Sequence, residues 1–192
     1  MNGRAFVTLA AVAVTLMLAG VLALAAENAA RNPPLPLTNA AIIREQASAK
    51  HLDPALIAAV IYTESKFEPR PSVAGAEGLM QILPTTAYYL ARLSGGSRFT
   101  AGDLATPRVN VAYGSYYLRY LLDHYAGNEM LALAAYNGGL TNVDEWRAHA
   151  EAEGRELTVE AIPFPETREY VQRVMTAQER YRSTYPQALG IT

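Results

Sequence analysis

One glutamate in this chain is placed to do acid–base work. Glu64 follows Ile57, Val60 and Ile61 at helical spacing, so its carboxyl continues an apolar stripe. Burial disfavours the ionised form, so a carboxyl there has a raised pKa and can hold a proton near neutral pH, as a general acid must. A solvated glutamate at a helix end explains the same pattern equally well, and spacing alone leaves both readings open. Glu68, one helical turn further and beside Pro69, and Glu77 are the nearby carboxylates; both read more readily as solvated surface groups.

Other chemistries find little support. His51, His124 and His149 lack ligand spacing, no glycine-rich phosphate loop occurs, and there is no cysteine, so no metal site, nucleotide, disulfide, thiol nucleophile or other cofactor is expected. A net charge of -2 supplies no basic field for nucleic acid. Gly75 and Gly78 permit a tight turn, after which Leu79, Met80 and Gln81 present one amide among apolar groups. Asn137, before Gly138 and Gly139, reads first as a helix stop through left-handed backbone geometry. The five tyrosines between residues 113 and 125 suggest sugar stacking, but on a helix packing is the commoner reason for them.

These residues need a frame, and the pattern supplies a helical one. Residues 5 to 26 carry no charge and follow Arg4, which predicts a retained transmembrane anchor or an exported signal over residues 1–27, with everything after it outside the cytoplasm. A proline-rich linker, 28–37, holds Pro33, Pro34 and Pro36. From Thr38 the chain shows no period-2 runs, so an all-α domain is predicted over 38–186, with a tail at 187–192. A composition 51% hydrophobic and 18% charged suffices for one core. Thr38 or Asn39 would cap a helix to Lys50; Asp53-Pro54 opens the one that carries Glu64. Pro84 and Pro107 open two more, Asn128 caps another, Thr141 or Asn142 starts a short turn through Trp146, and a long helix runs from about Glu166 to Tyr185.

The motifs sharpen this frame. Glu64-Ser65-Lys66-Phe67-Glu68-Pro69, Ser72, and Gly75-Ala76-Glu77-Gly78-Leu79-Met80-Gln81-Ile82-Leu83-Pro84 with Thr86-Ala87 resemble the soluble lytic transglycosylase (SLT) family of the lysozyme-like superfamily. The resemblance continues through Asn110-Val111-Ala112-Tyr113-Gly114, Leu131 to Gly139, and Ile162-Pro163-Phe164-Pro165-Glu166-Thr167-Arg168-Glu169-Tyr170-Val171, four blocks in the family's order. It implies a lysozyme-like domain that cleaves the β-1,4 bond between N-acetylmuramic acid and N-acetylglucosamine in peptidoglycan, with Glu64 as acid then base and the sugar's C6 hydroxyl as nucleophile. It further implies that Tyr136 lies beside Glu64, and that Ser72, Met80, Gln81, Asn137 and Glu166 contact the glycan. Glycan strands, the membrane and unspecified cell-wall or secretion machinery are the expected partners.

Two departures bear on these implications. The family serine comes nine residues after the glutamate, whereas Ser72 comes at eight behind Pro71, and Leu140-Thr141 replace a frequent proline-glycine. The rivals are a lysozyme-type hydrolase on the same fold, which needs a positioned water and usually a second carboxylate, and a non-catalytic glycan-binding or secretion-accessory module.

Overall fold

A computed structural model describes residues 16–24, 27, 33–95 and 99–191. The chain divides into two units, Met1–Leu35 and Pro36–Thr192. In the first, residues 16–24 are helical and exposed. Among the described residues no helix is long and apolar enough to cross a membrane. The span expected over 5–26 lies for the most part outside them.

The second unit consists of helices α1 (Ala40–Lys50), α2 (Pro54–Ser65), α3 (Pro84–Ser94), α4 (Pro107–His124), α5 (Glu129–Gly138), α6 (Leu140–Ala152), α7 (Pro165–Thr184) and α8 (Pro186–Leu189), with 3-10 turns at Ala101–Ala105 and Val159–Ala161. Among the described residues the sole β feature is one antiparallel bridge, Glu77 to Ile82. Proline opens five of these helices, where its missing N–H is not needed and its φ is already helical. Asp53 Oδ1 accepts from Ala55 N at 2.9 Å and Asn128 Oδ1 from Leu131 N at 3.1 Å, the expected caps. Asn39 does not cap α1: its backbone is left-handed (φ 56°) and its amide donates to Thr38 Oγ1 instead.

Helix α2 is central. Residues 55–61 are buried without interruption, so the apolar stripe read from Ile57, Val60 and Ile61 is one side of a helix enclosed on every side. Its most extensive packing is against α7, whose buried Thr167, Tyr170, Val171, Val174, Ala177, Gln178 and Tyr181 follow a helical period. Glu64 stands in the last turn of α2, where the helix begins to emerge.

One expectation is corrected. The short turn predicted through Trp146 is the 13-residue helix α6, because Gly139 (φ 87°, ψ 141°) breaks the helix for one residue and Val143 and Ala150 then bury a continuous face. Helix α8 begins at Pro186 and takes in residues 187–189; it packs on α1 with Leu189 buried and Arg44 Nη1 donating to Ala188 O at 2.5 Å.

Candidate active site

The turn from Gly75 to Leu83 is fixed to the helices by side chains. Ser65 Oγ, buried at the end of α2, lies 2.8 Å from Leu79 O and 3.1 Å from Ile61 O, and donates to one of them. Asn110 of α4 accepts from Met80 N at 2.7 Å and gives its amide protons to Glu77 O at 2.8 Å and Leu104 O at 3.1 Å. Tyr136 of α5 donates to Met80 O at 2.8 Å. Gly114 leaves room for Met80: a Cβ there would lie 2.4 Å from its sulfur and 2.8 Å from its Cβ. So held, Gln81 adopts a left-handed backbone (φ 47°), an arrangement unusual for a non-glycine residue. Its Nε2 donates to Arg70 O and Gly78 O, both at 2.8 Å, which leaves its carbonyl oxygen as the group a ligand can use.

The Glu64 carboxyl acts on Tyr136, the residue that holds this turn. Burial raises its pKa to about 7, while the Tyr170 hydroxyl and the Arg173 guanidinium pull the other way. Tyr170 is buried and its hydroxyl makes no hydrogen bond of full geometry in the protein, but it lies near enough to Glu64 to favour the ionised carboxyl. Its own pKa is driven well above 10, first by burial and then by Glu64 and Tyr136, so it remains a donor. The Tyr136 and Tyr170 rings stack at 6.5 Å and 5°. Tyr136 is likewise raised by burial first and by Glu64 second, which puts its hydroxyl within the field of the carboxyl. No second carboxylate is among the groups acting on Glu64, and no metal-binding group of three or more His, Cys, Asp or Glu occurs among the described residues.

Beside these residues runs a cleft. One part, about 170 Å³, is lined by Gln81, Thr86, Tyr117, Tyr136 and Asn137. It shares Thr86 and Tyr117 with a second part of about 340 Å³ that adds Tyr89 and Tyr120, whose hydroxyls meet at 3.1 Å. Half-exposed rings therefore line the opening, so packing does not account for all five tyrosines; Tyr125 alone of them is buried.

The Transglycosylase SLT domain family matches residues 41–159. The chain belongs to this family. The soluble lytic murein transglycosylase of Escherichia coli (strain K12) is 32% identical over 150 residues, which cover 77% of this chain and 23% of that one. Among solved structures, an inactive Glu-to-Gln mutant of the lytic transglycosylase Slt from Pseudomonas aeruginosa is 34% identical with a TM-score of 0.71, covering 78% of this chain and 24% of that one. The 70 kDa soluble lytic transglycosylase of Escherichia coli is 30% identical with a TM-score of 0.74, covering 82% and 26%. This chain thus spans about a quarter of the length of these relatives.

Within this SLT domain the residues singled out from sequence separate into two groups. Gln81, Tyr136 and Asn137 share the cleft wall, with Met80 buried behind Gln81 and Glu64 within the field of Tyr136. Asn137 is not the left-handed stop expected: it is helical, and Gly139 carries the positive φ. Its Oδ1 accepts from Thr167 Oγ1 at 2.8 Å, which orients it. Ser72 stands apart from the cleft, its Oγ accepting from Ala76 N at 2.9 Å to close the shortened loop. Glu166 is exposed in the first turn of α7 and does not line the cleft. Sequence reasoning gave no role to Tyr170, Thr167 or Asn110. The i,i+3 spacing of Thr167 and Tyr170 was the available signal, since it puts both on one face of α7.

Proposed function

We propose that this protein is a peptidoglycan lytic transglycosylase in which Glu64 is the sole acid and base. The reading is carried by a partly buried carboxyl in the last turn of α2 that burial pushes up to about 7, within the field of the buried Tyr136 and Tyr170 in a chain of the SLT family. At neutral pH such a group is protonated in roughly half the molecules, the poise that Brønsted behaviour favours for proton transfer. Glu64 donates its proton to O4 of N-acetylglucosamine as the bond to C1 of N-acetylmuramic acid breaks. The resulting carboxylate, steadied by Tyr170 and Arg173, takes the proton of the C6 hydroxyl as O6 closes on C1. The proton is returned, no water is consumed, and one product ends in a 1,6-anhydro ring. A hydrolase of the usual pattern would use two carboxyls roughly 5 to 9.5 Å apart. The relatives' names, and the inactivity of the one that has lost a glutamate to glutamine, support the same reading.

Gln81 through its carbonyl oxygen and Asn137 through its amide face the sugars in this reading, Met80 backs the turn and Tyr136 holds it in place, while Ser72 serves its loop and Glu166 has no cleft contact to support a binding role. We read the uncharged run 5–26 behind Arg4 as an anchor that leaves the domain outside the cytoplasm, a cleaved signal being the alternative.

Mass spectrometry of products from purified glycan strands tests the reaction. Chains ending in 1,6-anhydro-N-acetylmuramic acid, lighter by one water than hydrolysed ends, are expected. Reducing N-acetylmuramic acid ends would identify a hydrolase, and intact strands with a folded protein would identify a binding module.

A further inference from the structure

Two side-chain amides line the cleft segment at Tyr136, and the protein has already engaged one end of each. Gln81 Nε2 gives its protons to Arg70 O and Gly78 O, both at 2.8 Å. Both partners are carbonyls, so a reversed amide would set its oxygen against two others, and toward a ligand Gln81 is an acceptor only.

Asn137 is engaged in the opposite sense. Its Oδ1 accepts from Thr167 Oγ1 of α7 at 2.8 Å. Thr167 is 2% exposed, and a buried hydroxyl left without an acceptor is costly, so its proton goes to this oxygen. What Asn137, exposed at the end of α5, keeps for a ligand is its NH2 group. The approach of α7 to α5 depends on a glycine: a Cβ on Gly138 would lie 2.9 Å from Thr167 Oγ1 and 3.1 Å from its Cγ2.

An acceptor and a donor on one wall match a secondary amide, which offers one N–H and one C=O. On both sugars of peptidoglycan that group is the acetamido at C2, whereas each ring hydroxyl both donates and accepts and gains nothing from such a pairing. Ser72 is occupied in its own loop and does not line this segment. We propose that Thr167 is a positioning residue: it fixes Asn137 as a donor so that, with Gln81 as acceptor, the cleft selects sugars bearing an acetamido group. The inference rests on the transglycosylase reading for its substrate class.

The test measures binding of tri-N-acetylchitotriose and of cellotriose, which has a hydroxyl in place of each acetamido group, followed on the side-chain amide resonances of Gln81 and Asn137. The parent protein is expected to bind the first about tenfold more tightly than the second. Thr167→Val keeps the shape without the hydroxyl and is expected to lose about tenfold in affinity for tri-N-acetylchitotriose, and Thr167→Ser to recover most of it. In an Asn137→Ala background Thr167→Val should cost nothing further, because its effect runs through Asn137. On peptidoglycan strands Thr167→Val is expected to raise KM about tenfold with little change in kcat. Equal affinity for the two trisaccharides, unchanged affinity in Thr167→Val, or a loss that persists in the Asn137→Ala background overturns the proposal. Failure of the underlying reading is distinct: the parent protein would then release no 1,6-anhydro ends from strands, whatever the trisaccharides show.

Discussion

At the scale of the residue, Glu64 joins a functional asset to a structural cost. Burial pushes its pKa in the folded protein up to about 7 from the ordinary 4.5, so the folded state holds a proton that the unfolded chain releases earlier. Stability is therefore full below about pH 4.5 and declines as pH rises through 7, where the folded protein must also ionise the buried group. The full decline is on the order of 3 kcal/mol as an upper bound, since part of Glu64 reaches solvent. Glu64→Gln keeps the shape without the charge. Its melting temperature is expected to equal the parent's near pH 4 and to exceed it by several degrees at pH 8, while activity falls by about 10³-fold or more. Calorimetry across that pH range checks this; equal melting temperatures at pH 8 would mean that Glu64 is not desolvated. Parent activity should also decline above pH 7 as the acid form is lost.

The elements show what a sequence can and cannot disclose. Helix starts were legible at Pro54, Pro84, Pro107 and Pro165 because proline acts through its own backbone, with no distant partner required. The apolar residues preceding Glu64 in α2 pointed to burial of its carboxyl but left a solvated glutamate at the helix end equally open. Asn110 was visible only as a motif letter, because its task is to tie a turn 30 residues earlier, and a pattern along one helix does not say what faces it. Tyr170 was hidden likewise, more than 100 residues from the Glu64 carboxyl it faces. Asn137 was misread because Gly-Gly announces a helix end without saying which glycine bends. Asn110 also yields a prediction. It is fully buried, and Asn110→Ala orphans Met80 N–H and two carbonyls at once, at about 3 kcal/mol in all. Urea unfolding should register that loss, accompanied by reduced turnover as the Gln81 turn loosens. A cost under about 1 kcal/mol would show that the turn holds without this clamp.

On the scale of the whole molecule, the proposed activity requires the helical unit from Pro36 onward to reach a wall polymer. If residues 5–26 are a retained anchor, the full-length protein should sediment with membranes at about 1 M NaCl, where the Debye length is about 3 Å, and detergent should release it, because apolar burial is not screened by ions. A mature N-terminus at Ala26 or Glu27 would instead identify a cleaved signal. The unit's own geometry bears on how it can be mounted. Tyr181 donates to Pro36 O at 2.6 Å, and Arg44 of the first helix donates to Ala188 O beside the last. The chain therefore enters and leaves the unit at neighbouring points, so the unit resembles a cartridge with both leads on one side. Such a unit can be spliced into a host loop, or rejoined end to end and reopened elsewhere, with its central helix undisturbed.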